Sequence, residues 1–160
     1  MGKQKRQNTK IIRNRRAHFD YDLADNLVVG LELNGREVKS LRMGHGYLRG
    51  AYVTVKDGQL WLINATISGT NGMPIPEDEQ SRARRLLAKR REIDQLIATK
   101  QQGRTIVPLD ILTQGRYIKL RIAVGKGRKL YDKRQILKRR EAQRSVDAAI
   151  KHLSWINHDL

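Results

Sequence analysis

The chain has 160 residues, with 33 Lys and Arg against 16 Asp and Glu, a formal net charge of +17 and no cysteine. That length sets one compact domain with some chain to spare, and the missing cysteines exclude a disulfide framework, a thiolate metal site and a cysteine nucleophile. So large a cationic excess exceeds what solubility needs and points to a polyanion, with nucleic acid as the expected partner.

The charge comes in blocks. Residues 1 to 16 carry seven cations and no acid, residues 17 to 81 carry five cations and nine acids, Arg82 to Arg91 carry six cations, and Lys126 to Arg144 carry nine against Asp132 and Glu141. No apolar run approaches the roughly 18 residues of a membrane span, and the N-terminus has no signal-like apolar stretch. A cytoplasmic protein that meets no membrane is expected.

Residues 1 to 13 are polar, basic and aperiodic, which predicts a disordered arm. From His18 the alternation of Phe19, Tyr21 and Leu23 with Asp20 and Asp22 predicts a strand, followed by the apolar run Leu27 to Leu33. Asn34-Gly35 is a strong hairpin signal, and Glu37 to Met43 fits a short helix stopped by Gly44. Ala51 to Lys56, Asp57-Gly58 and Gln59 to Ala65 predict a second hairpin, with Trp61 in the core.

Ser68 to Gln80 reads as a surface loop. Ser81 is placed as the N-cap of a long helix running to Gln102 and stopped by Gly103, with Leu86, Leu87, Ile93, Leu96 and Ile97 on one face. Arg104 to Leu112 and Arg116 to Val124, joined at Gln114-Gly115, predict a third hairpin in which Pro108 marks an edge or a bulge. The expected fold is mainly β with α: a small closed antiparallel β-barrel of about six strands, OB-fold-like, with one long helix and one or more short ones.

The expected domains are the arm 1–13, a barrel 14–131 and a basic C-terminal tail 132–160. The tail has good helix formers, but an apolar stripe appears only at Val146, Ala149, Ile150 and Leu153. It is expected to be largely unfolded alone and helical against a partner. Trp155 there is a candidate for stacking or docking.

Catalytic chemistry is not indicated. His18, His45, His152 and His158 lack metal-ligand spacing, so no metal and no cofactor is expected, and the carboxylates Glu32 and Glu37 read more simply as structural. Gly125 to Lys129 matches neither a Walker A loop nor a dinucleotide fingerprint. It reads as a Gly-rich basic loop able to approach a phosphodiester.

Five segments, Asn14-Arg15-Arg16-Ala17, Gly35 to Arg42, Trp61 to Ala65, Val107-Pro108-Leu109 and Lys126 to Arg134, together resemble the bacterial SsrA-binding protein (SmpB) family in order and spacing over residues 8 to 151. The resemblance implies an OB-type barrel that binds the tRNA-like domain of transfer-messenger RNA (tmRNA) and takes part in trans-translation, the rescue of stalled ribosomes, without catalysing a reaction. It further implies delivery with elongation factor Tu through the tmRNA complex, a tail that becomes helical in the empty mRNA channel, and a monomeric protein. The alternative is a structural ribosomal or ribosome-assembly RNA-binding protein.

Carried onto this chain, the resemblance puts Asn14, Arg16, Glu37, Lys39, Ser40, Arg42, Asn64, Lys89, Lys126, Gly127, Arg128 and Lys129 on the RNA-binding surface. Asp132, Lys133, Arg134, Lys138, Arg139 and Ile150 are assigned to ribosomal contacts. The chain departs from the family in the acidic loop Met73 to Glu79, where relatives often carry a basic loop, and at Ala88, where His is common. Arg82, Arg84 and Arg85 are expected to compensate in part.

Overall fold

The computed structural model describes residues 11–156, except the side chain of Ile156. Most of the expected arm, residues 1–10, and the last four residues lie outside the described residues. The elements in chain order are β1 (Ile12–Arg13), α1 (Ala17–Asp20), β2 (Tyr21–Leu31), α2 (Gly35–Arg42), β3 (Gly46–Tyr47), β4 (Tyr52–Lys56) and β5 (Gln59–Ile63). They continue with β6 (Thr66–Ile67), α3 (Glu77–Gln80), β7 (Arg84–Leu87), α4 (Arg90–Gln101), β8 (Thr105–Leu112), β9 (Lys119–Gly127) and α5 (Leu130–Ile156).

Strands β8, β4, β5, β7, β2 and β9 are hydrogen-bonded in that order, and β9 pairs back onto β8. Every pairing is antiparallel, so six strands close into a barrel without a free edge in the ring. Alternate residues point inward, and Val29, Leu31, Val53, Leu60, Leu62, Leu86, Ile106, Ile111, Leu120, Ile122 and Val124 fill the interior. Leu41 of α2 and Ile93 and Leu96 of α4 join the same core. Burial of each such side chain contributes about 1.5–3 kcal/mol against the entropy of ordering.

The chain divides into two compact units, the barrel unit ending at Gly127 and a C-terminal unit from Arg128. The C-terminal unit is one helix of 27 residues, which starts two residues before the expected tail boundary. Its apolar stripe, Val146, Ile150 and Leu153, is 51–60% exposed.

Several local expectations are met for the stated reasons. Asp57 and Gly58 both have positive φ, 52° and 70°, which makes the β4–β5 connection the primed turn that matches strand twist. The register of β8 against β9 shifts between Pro108 and Asp110, so Pro108 sits at a bulge. Gly44, at φ 84°, ends α2 as expected.

Other expectations are corrected. Residues 12 and 13 are not part of a free arm: Ile12 is buried and pairs with Ile111, while Arg13 pairs with Asp110. The strand expected from His18 begins only at Tyr21, because Ala17–Asp20 form a helical turn that buries Ala17 against Val107, Leu109 and Ala123. Asn34-Gly35 is a helix start and not a hairpin turn. Asn34 accepts from the Glu37 N–H at 3.0 Å and donates its own N–H to Glu37 at 3.3 Å, a reciprocal cap that satisfies two otherwise orphaned donors.

The largest correction concerns residues 81–102. The first part of the expected helix is strand β7, with Arg84 and Leu86 inward and Arg85 and Leu87 outward. The helix starts after Lys89, whose N–H donates to the Glu92 carboxylate at 2.9 Å. Alternation was masked because one inward residue is an arginine. Trp61 is only half-buried, since Leu60 and Leu62 take the inward positions of β5.

Gly125 to Lys129 is likewise not one loop. Gly125, Lys126 and Gly127 belong to β9 and pair with Leu23, Asp22 and Tyr21 of β2. A Cβ on Gly125 would stand 2.7 Å from Leu23 Cδ2 and 2.9 Å from the Asp22 carbonyl, so this glycine permits close strand approach.

Candidate nucleic-acid interface

Asn14 stitches the chain to the Pro108 bulge. Its backbone N–H donates to the Leu109 carbonyl at 2.7 Å and its side-chain amide donates to the Pro108 carbonyl at 3.0 Å. With the backbone pinned on both sides of Asn14, the exposed Arg13, Arg15 and Arg16 fan out from the barrel wall. Arg16 lies 3.5 Å from Asp20 and 5.5 Å over the Phe19 ring, which preorganises its guanidinium without burying it.

Two clefts share Asn14, Arg16 and Arg49 in their walls. One, of about 430 Å³, also takes in Lys100, Arg104 and Tyr52; the other, of about 840 Å³, takes in Arg13, Arg15 and Tyr47. Six cations from three segments of sequence therefore meet on one face, with Asp20 as the acid among the lining residues. Such a face attracts a phosphate backbone by Coulomb attraction and counterion release.

The interior end of α2 carries a different charge arrangement. Glu37 is 1% exposed and both its oxygens are occupied, Oε1 by Arg82 and Oε2 by the fully buried Arg84. Arg84 spends its remaining donors on the carbonyls of Ala65 at 2.8 Å and Gln80 at 2.9 Å, among others. Burial by itself raises the Glu37 pKa, but donation from Arg82 and Arg84, the Arg84 charge and the Asn34 N–H outweigh it and hold the carboxyl below its ordinary range. Burial pulls the Arg84 pKa down, partly countered by Glu37.

The model of the SmpB protein family matches residues 11–152, nearly the whole described chain. The chain belongs to the SmpB family. It is 43% identical over 141 residues to the SsrA-binding protein of Trichormus variabilis, covering 87% of this chain and 91% of the relative. It is 41% identical over 152 residues to that of Syntrophomonas wolfei, covering 94% and 97%. A solved chain from work described as "tmRNA-SmpB: a journey to the center of the bacterial ribosome" superposes with a TM-score of 0.62 at 34% identity, covering 75% of this chain and 85% of that one.

In this SmpB-family chain, the residues expected on the RNA surface separate into two groups. Asn14 and Arg16 line the basic clefts. Lys39, Asn64, Lys89, Lys126, Gly127 and Lys129 are exposed and line neither of these clefts, and Arg128 is half-buried; Lys89 lines another cleft with Arg85 and Leu87. Asp132, Lys133, Arg134, Lys138, Arg139 and Ile150 are all carried by α5, with Ile150 in the apolar stripe.

The other assignments are corrected. Glu37 has no free oxygen for a base, and Ser40 is fully buried; α2 turns that face into the barrel to cap its core. Arg42 donates to the carbonyls of Thr113 at 3.1 Å, Gly115 at 3.0 Å and Arg116 at 3.2 Å. Its guanidinium thus fastens the β8–β9 connection. Arg82 and Arg84 cannot replace a basic loop, being committed to Glu37, and Arg85 pairs with Glu32 at 3.2 Å. Arg42→Ala is expected to cost about 1.5–3 kcal/mol, the range for hydrogen bonds from a charged donor, and to speed amide exchange at residues 113–117 while exchange in β5 stays unchanged.

Sequence reasoning places Arg13 and Arg15 only in the N-terminal charge block and, for Arg15, a family segment, and it misses Tyr47, Arg49, Tyr52, Lys100 and Arg104. Counting charge by blocks overlooks single cations at element ends, and Arg49-Gly50 and Gly103-Arg104 are the local signals: a cation beside a positive-φ glycine at a turn. Among the described residues no group of three or more His, Asp or Glu could hold a metal ion, and no helix is long and apolar enough to cross a membrane.

Proposed function

We propose that this chain is a tmRNA-binding adaptor of trans-translation, holding the tRNA-like domain of tmRNA on the basic cleft face of its barrel. The observation that carries the reading is the convergence of six cations around Asn14 on a barrel of the SmpB family. The related solved chain comes from work on tmRNA–SmpB and the bacterial ribosome, which supports the same partners here. The bound complex is delivered with elongation factor Tu in the cytoplasm, and the basic helix α5, with Asp132, Lys133, Arg134, Lys138, Arg139 and Ile150, engages the ribosome.

The barrel carries the RNA and the helix carries the ribosome contact, with no reaction catalysed by the protein. Filter binding tests the first step. The protein is expected to prefer a tRNA-like RNA over random duplex at equal salt, with log K falling steeply against log salt, by about 0.7–0.9 per phosphate engaged. Equal affinity for both RNAs, or stoichiometric presence on all ribosomes whether stalled or translating, overturns the proposal.

A further inference from the structure

Tyr47 and Tyr52 flank a four-residue turn whose end residues, Leu48 and Ala51, are anchored in the core. Leu48 is 1% exposed and Ala51 9%, and the Ala51 N–H donates to the Leu48 carbonyl at 3.0 Å. Gly50, at φ 74°, closes the turn and leaves Arg49 at its tip. The tyrosines themselves are 60% and 44% exposed, and each is held by a strand: Tyr47 pairs with Thr66 and Tyr52 with Ile63.

Each ring lines one of the two basic clefts, and the clefts meet at Arg49, Arg16 and Asn14. Among the described residues neither tyrosine hydroxyl has a hydrogen-bond partner, and the cation–π contacts go to Phe19 and Tyr117 instead. The result is two aromatic faces on rigid backbone, left open to solvent between guanidinium groups. Phosphate binding alone does not call for them. A paired RNA strand keeps its base faces covered and shows proteins mainly phosphates and 2′-hydroxyls, whereas an unpaired base offers a π-face that stacks on tyrosine.

We infer that this turn is a base-stacking platform: Tyr47 and Tyr52 take unpaired nucleobases of the bound RNA while Arg49, with Arg16 and its neighbours, holds the intervening phosphates. The inference rests on the proposed RNA-binding function and narrows its ligand to an RNA with unstacked loop bases lying across this face. The stacked bases add affinity that salt does not remove, and they set which part of a folded RNA enters the clefts.

The test pairs protein and RNA changes. The full-length protein and its Tyr47→Ala, Tyr52→Ala, Tyr47→Phe and Tyr52→Phe variants are titrated with a tRNA-like RNA carrying single abasic substitutions through its unpaired loops, which remove a base and keep its phosphate. Both tyrosines are exposed, so the variants are expected to fold, as circular dichroism checks. Each alanine variant is expected to bind the intact RNA about 5- to 160-fold more weakly, the range for loss of one stacked base, with an unchanged salt slope, while the phenylalanine variants bind as wild type. One abasic position is expected to weaken the wild type equally and to have no further effect in the matching alanine variant. If the wild type binds the RNA but the alanine variants bind as tightly, or if no abasic position couples to either tyrosine, the stacking inference is overturned and the RNA-binding reading stands. If the wild type does not bind the tRNA-like RNA at all, both fall.

Discussion

Glu37→Gln is expected to lower the unfolding free energy at neutral pH by about 3–5 kcal/mol, the usual cost of removing one member of a buried ion pair, and to leave RNA affinity unchanged under folding conditions. Both halves follow from burial. Arg84 is fully buried with its Nε aimed at Glu37, so neutralising the carboxylate leaves a charge in the interior without its counter-ion, while no face of Glu37 is open to a ligand. Arg84→Met is expected to be comparably costly. The double variant Glu37→Leu/Arg84→Met should recover much of the loss, because it removes both desolvated charges together.

The pH dependence has a definite sign. The folded-state pKa of Glu37 is depressed, so its contribution is complete above the unfolded carboxyl value of about 4.3 and fades as pH falls through the lower folded value. Urea unfolding of wild type and Glu37→Gln at pH 7, 5, 4 and 3 should therefore show a gap that is constant from pH 7 to 5 and narrows below. A gap independent of pH would contradict the ion pair, and loss of RNA binding by a stably folded Glu37→Gln would contradict its purely internal role.

Glu37 and Arg84 also explain where sequence reasoning stops. The hairpin at Asp57-Gly58 was legible because turn chemistry and alternation agree there, the β8–β9 hairpin was legible although its second strand starts at Lys119 and not at Arg116, and closure into a barrel followed from hairpins without crossover helices. Strand β7 was not, because alternation is read as apolar against polar, and Arg84 is polar yet inward. Its partner lies 47 residues away, a separation no local window spans. Asn34-Gly35 failed differently: the same pair serves a turn or a helix cap, and only Glu37, at the third helical position, selects the cap.

The candidate site shows a similar division. Motif resemblance led to Asn14 and Arg16, which line the clefts, but it also led to Glu37 and Ser40, which are buried, and to Arg42, whose guanidinium is committed to the β8–β9 connection. A motif records which residue types recur together, and a buried counter-ion recurs as faithfully as a ligand contact. Arg49, Lys100 and Arg104 reach the clefts only through the packing of α4 and the Leu48–Ala51 turn against the barrel, so their convergence exists in three dimensions alone.

The largest functional effect is expected from one substitution in α5. Ala142→Pro should abolish rescue of stalled ribosomes in a reconstituted translation assay while leaving affinity for the tRNA-like RNA unchanged. Ala142 lies in the middle of the helix Leu130–Ile156, where proline removes a hydrogen bond and costs about 3 kcal/mol. The helix carries seven Lys and Arg against three acids, and its stripe Val146, Ile150 and Leu153, all C-terminal to Ala142, keeps its phase relative to Lys133, Arg134, Lys138 and Arg139 only if the helix is continuous through Ala142. Deleting residues 133–160 should match the proline variant in both assays. A tail acting only as a flexible cationic strand would tolerate Ala142→Pro, since the substitution leaves every charge in place; retained rescue would then assign the work to charge and not to the helix. Loss of RNA affinity in the deletion would show that the barrel does not hold the RNA alone, and would overturn the division of labour between barrel and helix.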